Sequence, residues 1–199
     1  MWKTTPDSRE SAARFKSCPP RFEWALPLSR YNGAVPLAIR DFKPDDFDAL
    51  WRMDQECFPP GIAYSKTELR TYVRHKSSFT LVAENSATHA KDGNIAGFIV
   101  AHQAQVGHII TIDVLASFRR FGVGSMLLLA AEERLRAAGS RAVGLETAVD
   151  NFPALSFYKR HGYSVTRTWP RYYSNGVDAL GMRKELRAEL TRGEDREPV

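Results

Sequence analysis

Cysteine and long apolar runs are both scarce in this sequence of 199 residues. Its two cysteines, Cys18 and Cys57, show no CxxC or metal-ligand spacing, so neither a disulfide framework nor a metal site is predicted. No segment approaches the roughly 20 consecutive apolar residues of a membrane-spanning helix. Residues 1–24 also lack the apolar segment of a secretory signal. These absences predict a cytoplasmic protein that makes no membrane contact.

The positive charge is concentrated at the N-terminus. The formal net charge is +5, and residues 1–36 hold six Lys or Arg against three Asp or Glu, which leaves +3 in that segment. Together with its prolines, this predicts a basic arm over residues 1–36, partly irregular or disordered, then one domain over 37–188 and a polar tail over 189–199. Such an arm could contact a ribosome surface or remain a solvated tail, and no direct nucleic acid binding is predicted.

Apolar periodicity predicts a mixed α/β domain. Strand-like segments cover residues 36–43, 79–85, 95–104, 108–115, 141–149, 162–169 and 177–186, and helix-like segments cover 44–58, 66–75, 123–139 and 152–161. Ser65 and Glu68 have the spacing of a capping box at the start of the second helix. In the third helix a predicted core stripe consists of Val123, Leu127, Ala131, Leu135 and Ala138.

The segment RRFGVGS, residues 119–125, lies between a predicted strand and the third helix. Unpaired N–H groups at a helix N-terminus attract anions, and glycine lets the backbone approach them closely. A Walker loop requires lysine after its last glycine, whereas Ser125 follows Gly124. A dinucleotide fingerprint requires a third glycine where Leu127 stands, although Glu146 lies where that motif has its acid. The turn therefore predicts a phosphate site of a different kind.

The pattern R-x-x-G-x-G in this turn resembles the acetyl-CoA motif of the GNAT family of N-acetyltransferases, and the resemblance extends from Leu37 to Leu186. It implies the GNAT fold, a mixed and mostly antiparallel sheet of six to seven strands, flanked by about four helices and splayed between the fourth and fifth strands. It also implies acetyl-CoA as cosubstrate and no metal. The cofactor-binding residues it implies are Arg119, Arg120, Phe121, Gly122, Val123, Gly124 and Ser125 in the turn, with Ile112, Val114, Asn151 and Tyr158 around it.

The same resemblance implies that the amine attacks the thioester directly, so the reaction needs no nucleophilic cysteine or serine. Glu146 is the first candidate for the base and His108 the second, at a position where related N-terminal acetyltransferases carry a tyrosine. Tyr158 corresponds to the proton donor for the leaving thiolate, which a phenol can serve at neutral pH. The N–H of Val114 is expected to polarise the thioester oxygen.

Four segments, CFPPGIAYS, HIITIDVL, LETAVDN and RYYSNGVDALGMRKEL, resemble the RimI-like group, which acetylates the N-terminal alanine of a ribosomal protein. The resemblance implies that Phe58 and Pro59 grip the first acceptor residue and that Tyr172 and Tyr173 flank the acceptor backbone. The expected partner is a peptide or protein N-terminus, with a ribosomal protein or the ribosome as a candidate. Two alternatives remain open, a small-molecule amine such as a polyamine, antibiotic or metabolite, and a non-catalytic acetyl-CoA-binding module. The oligomeric state is also open.

Overall fold

The computed structural model describes residues 37–85 and 95–186. The predicted arm at 1–36, the predicted tail at 189–199, Cys18 and residues 86–94 lie outside these residues. The strands are β1 Leu37–Asp41, β2 Ser78–Asn85, β3 Ile95–His102, β4 Val106–Val114, β5 Ala142–Ala148, β6 Ser164–Trp169 and β7 Ala179–Glu185. The helices are α1 Phe47–Cys57, α2 Lys66–Arg74, α3 Val123–Ala137 and α4 Phe152–Arg160.

The strands form one sheet in the order β1-β2-β3-β4-β5-β7-β6. Every neighbouring pair is antiparallel except β4 and β5, which are parallel. Their pairing covers only three residue pairs and ends at His108 and Gly144, although both strands continue well beyond. The predicted splay between the fourth and fifth strands is therefore confirmed, and it opens a gap in the middle of the sheet.

Each face of the sheet is covered by helices. The connection between parallel strands needs a crossover, and α3 supplies it, burying Val123, Leu127, Ala131 and Leu135 as the stripe predicted. Ala138 is exposed and caps the C-terminus of the helix, so its predicted place in the stripe is wrong. On the opposite face, α1 and α2 bury Leu50, Met53 and Leu69 against Val82, Phe98 and Val100.

Local sequence signals account for several helix ends. Ser65 and Glu68 form the predicted capping box on α2. Pro44 begins a short 3-10 turn through Asp46, so the regular helix α1 begins at Phe47, three residues later than predicted. Within the described residues, no helix is both long and apolar enough to span a bilayer.

Candidate active site

The glycine turn closes one end of the gap between β4 and β5. Gly122 has a φ of +85° and is the N-cap of α3, so the helix begins at Val123. Arg120 also has a positive φ, at +70°, a conformation that is uncommon outside glycine and bends the chain sharply. The N–H groups of Val123, Gly124 and Ser125 therefore belong to the first turn of α3, where they lack partners within the helix. This is the geometry of an anion-binding helix N-terminus.

Arg119 connects the turn to β4. Its Nε donates to the carbonyl oxygen of Val114 at 2.9 Å. The resemblance assigns Arg119 to the cofactor, and the structure adds this second contact, which no sequence motif indicates. Phe121 is exposed at the tip of the turn.

The peptide group of Val114 faces the gap. The N–H of Leu115 donates to Ala96 on β3 at 3.1 Å, and Val114 pairs with Gly97 in the same register. Hydrogen bonding alternates along an antiparallel strand, so the N–H of Val114, like that of Ile112, is directed away from β3 and toward β5. The strands have already separated at this level. A donor aimed into a gap is what polarisation of a thioester oxygen requires.

The two candidate bases form one pair. His108 Nε2 lies 2.9 Å from Glu146 Oε2, with 36% of the histidine side chain and 21% of the glutamate side chain exposed. The pair sits where β4 and β5 part, because His108 is the last paired residue of β4. The phenol of Tyr172 lies near the same carboxylate, whose charge contributes to the raised pKa of that phenol. Three residues that the sequence assigned separately are thus neighbours in the structure.

Tyr158 is buried in α4 beside the gap. Burial, with smaller contributions from Asp113 and Tyr173, raises the pKa of its phenol well above the ordinary value, so the hydroxyl keeps its proton. Its neighbour Phe157 packs edge-on against it at 5.2 Å between ring centroids. The Phe157 ring also comes within 3.4 Å of the position that a Cβ on Gly124 would occupy, which brings α4 and the glycine turn together.

Asn151 has a structural role that sequence reasoning missed. It is the N-cap of α4, and its side-chain oxygen accepts from the N–H of Ala154 at 3.2 Å. Asparagine before a helix with proline in its first turn is a recognised cap signal. The cap occupies the side-chain oxygen, so any bond to the pantetheine arm would come from the amide NH₂.

Two loops border the gap at the acceptor side. Phe58 and Pro59 lie in the α1–α2 connection, and Tyr172 and Tyr173 lie between β6 and β7 with their rings 5.1 Å apart at 84°. The loops touch each other, since Ser174 Oγ donates to the carbonyl oxygen of Gly61 at 2.9 Å. The structure thus brings the two predicted acceptor loops to one side of the gap.

Two further tyrosines belong to this aromatic cluster. Tyr64 packs edge-on against Tyr72 at 5.2 Å, and its hydroxyl donates to the carbonyl oxygen of Ile110 at 3.3 Å. Burial, followed by the charges of Glu146 and Tyr72, raises the pKa of Tyr172 to about 12. In the sequence, these two tyrosines are distinguished only by their positions, Tyr64 just before α2 and Tyr72 in its last turn.

Cys57, at the end of α1, and Asp113, on β4, lie next to Val114. Burial raises the pKa of the Cys57 thiol to about 11, with a smaller contribution from Asp113, and its Sγ donates to Val114 O at 3.5 Å. A thiol that keeps its proton is a poor nucleophile, which fits direct transfer to the amine. Asp113 is fully buried and accepts from the Thr111 hydroxyl at 3.0 Å.

Asp113→Asn is expected to make the protein less sensitive to rising pH. Burial, then the nearby Asp54, raises the pKa of Asp113 well above 3.8, so the stability it contributes is full below the unfolded pKa and is lost as the pH rises through the folded pKa. An amide has the shape of the neutral carboxyl and does not ionise. Urea unfolding from pH 5 to about pH 8 should show a smaller loss of unfolding free energy in the variant, whereas Asp45→Asn, at an exposed carboxyl, should follow the wild type. Equal pH slopes for Asp113→Asn and wild type would contradict this.

In the described part of the chain, no group of three or more His, Cys, Asp or Glu side chains could hold a metal ion.

Known proteins resemble this chain in both sequence and fold. Residues 47–163 match the model of the Acetyltransferase (GNAT) family. A protein of Sulfolobus acidocaldarius named N-alpha-acetyltransferase is 37% identical over 157 residues, covering 71% of this chain and 88% of the relative.

Among solved structures, Ard1 from Thermoplasma volcanium superimposes with a TM-score of 0.68 at 29% identity, covering 76% of this chain and 99% of that one. The ribosomal-protein-S18-alanine N-acetyltransferase from Escherichia coli has a TM-score of 0.64 at 20% identity, covering 80% and 98%, which shows a shared fold.

Proposed function

Because this chain belongs to the GNAT family of acetyltransferases and is an acetyl-CoA-dependent N-acetyltransferase, we propose that its acceptor is the α-amino group at the N-terminus of a polypeptide. The observation that carries the proposal is the contact of His108 with Glu146 at 2.9 Å, at the mouth of the gap, with the Tyr172 phenol near the same carboxylate. This links a base to the loop that the resemblance assigns to the acceptor backbone. Relatives of this chain named N-alpha-acetyltransferase support the same acceptor.

The strength of the base favours an α-amine. A free α-amine has a pKa of about 7.7–8.0, so about a tenth of it is neutral at pH 7. A lysine with a pKa of about 10.4 is neutral only about once in 2,500 molecules, and reaching it would require roughly 4.6 kcal/mol of further help. An α-amine therefore needs little help from Glu146 and His108, whereas a lysine would need a much larger shift of its own pKa.

The proposed transfer uses the residues in a fixed order. Glu146, paired with His108, takes a proton from the ammonium group through water, and the freed amine forms its bond to the thioester carbonyl carbon. The N–H of Val114 stabilises the negative charge that develops on the carbonyl oxygen. The nitrogen of the intermediate then loses its second proton to solvent, and as the carbon–sulfur bond breaks, Tyr158 donates a proton to the departing thiolate and recovers one from solvent. The products are the amide and free coenzyme A, with one proton released.

The remaining assignments belong to the same proposal. The N–H groups from Arg120 to Ser125 hold the pyrophosphate of acetyl-CoA, and the Asn151 amide group contacts its pantetheine arm. Phe58 and Pro59 enclose the first acceptor residue, while Tyr172 and Tyr173 flank the acceptor backbone. The acceptors we propose include ribosomal proteins, which the chain would acetylate in the cytoplasm in the manner of RimI-like enzymes. The fold that it shares with a ribosomal-protein acetyltransferase is consistent with this choice.

A panel of acceptors tests the proposal. The full chain is incubated with acetyl-CoA and short peptides that differ at the first residue, beside spermidine and free lysine, and thiol release is followed. Release that depends on a free peptide N-terminus, and disappears when that terminus is blocked, is expected. Release with spermidine or lysine alone would replace the proposal with a small-molecule acceptor, and silence with retained acetyl-CoA binding would indicate a non-catalytic module.

A further inference from the structure

Three histidines, His108, His102 and His75, form a line from the catalytic pair to the end of α2. His102 is the last residue of β3 and stands directly opposite His108 on β4, so their side chains emerge on the same face about 5 Å apart at Cβ. On its other side, the ring of His102 packs against that of His75 at 4.8 Å between centroids. His75 is exposed at the end of α2. Neither His75 nor His102 belongs to a motif of the sequence.

The chemistry requires a route of this kind. Acetylation of an ammonium group releases one proton per turnover, and that proton arrives first at Glu146 and His108. In the proposed function the acceptor and acetyl-CoA enter through the gap, on the side of the pair where the Tyr172 phenol lies near Glu146. His102 lies on the other side of β4, away from β5.

We propose that His102 relays the transferred proton from His108 to solvent, with His75 holding its ring at the exit, an inference that rests on the proposed function. The proton passes from the Glu146 carboxyl to Nε2 of His108, and the resulting imidazolium gives up one proton through water to His102. His102 then releases a proton from its second ring nitrogen to bulk water, so each imidazole accepts one proton and loses one. No oxidant, metal or further reactant takes part.

The surroundings of His102 favour release of the proton to solvent over its retention on the imidazole. Burial, followed by the charges of His75 and His108, lowers the pKa of His102, so it does not trap the proton. The exit groove beyond it is lined by Arg70, Arg74, His75 and Lys76, with no acidic side chain among its lining residues. Cations at the mouth disfavour a resident proton.

His75 has the contacts of a positioning residue. Its Nδ1 accepts from the N–H of Ser77 at 3.3 Å, which fixes the ring in the turn before β2. The ring is therefore presented to His102 by the backbone. It does not contact the catalytic pair, and water could carry the proton past it, so its replacement should have a smaller effect than that of His102.

The relay is tested by His102→Gln, which retains a polar side chain of similar length and removes the ability to exchange a proton. With the acceptor that the panel identifies, kcat in dilute buffer of a large, poorly penetrating type should fall roughly tenfold, with acetyl-CoA affinity unchanged. Added imidazole should restore it, and the solvent isotope effect on kcat should rise. His75→Gln should show the same behaviour more weakly.

His161→Gln is the matched control, because this histidine stacks on Phe157 in α4 and lies outside the line; its kcat should not respond to imidazole. The relay is overturned if His102→Gln turns over like wild type in dilute buffer, or if its loss is the same at every imidazole concentration, which would indicate a structural role. Any amine acceptor releases the proton, so a failed peptide panel leaves this test in place with the amine found instead.

Discussion

Gly124→Glu is expected to abolish acetyl-CoA binding, with an affinity loss of at least roughly a hundredfold, or about 2.8 kcal/mol. A Cβ at this position would stand 3.4 Å from the Phe157 ring and 3.8 Å from the Val114 side chain, so the rest of the glutamate extends into the gap between them. Its carboxylate would place a negative charge at the helix N-terminus that we assign to the pyrophosphate, and would compete for the same N–H groups. Isothermal calorimetry with acetyl-CoA measures the loss.

Two controls separate the site from the fold. Leu129→Glu makes the same change of charge at an exposed position on the same helix, and it should bind acetyl-CoA normally. Gly124→Ala adds only a methyl group at ordinary van der Waals distance, so a small loss is expected. Normal acetyl-CoA affinity in folded Gly124→Glu would contradict the assignment of this turn to the cofactor.

The regular elements of this fold were predictable because they depend on local pattern. The nearly continuous apolar runs of β2 and β3, the capping box at Ser65 and the stripe along α3 each depend on residues only a few positions apart. The splay between β4 and β5 was expected from the family resemblance and not from the pattern. No local signal specifies that two parallel strands pair at only three positions.

Contacts between distant segments account for what the sequence left unpredicted. The bond from Ser174 to Gly61 joins residues 113 positions apart, and nothing near either residue indicates the other. The contact between Glu146 and His108 was not predicted either, because these residues are also far apart in the sequence. Each was instead proposed as an alternative base. Asp113 has the sequence of an ordinary strand residue, and only the packing of α1 against β4 reveals a buried carboxyl there.

The pairing of the two bases changes what their substitution should do. Glu146→Gln is expected to lower kcat roughly a hundredfold near neutral pH, within the range for removal of a general base, with little change in acetyl-CoA binding. The loss should be steepest at low pH, because the acceptor amine there is protonated and needs the base. Above its pKa of about 8 the amine is already neutral, so the variant should recover toward wild type.

A pH–rate profile from about pH 6 to about pH 9 on the best peptide measures this, with acetyl-CoA calorimetry as the check on binding. Because His108 and Glu146 lie 2.9 Å apart, we expect them to act as one unit, so the double variant with His108→Gln should lose little beyond the larger single loss. Additive losses would mean that the two residues act at separate steps. An unchanged pH–rate profile in Glu146→Gln would remove the carboxylate from the role of base and leave His108, directed at the same gap, as the group that accepts the proton.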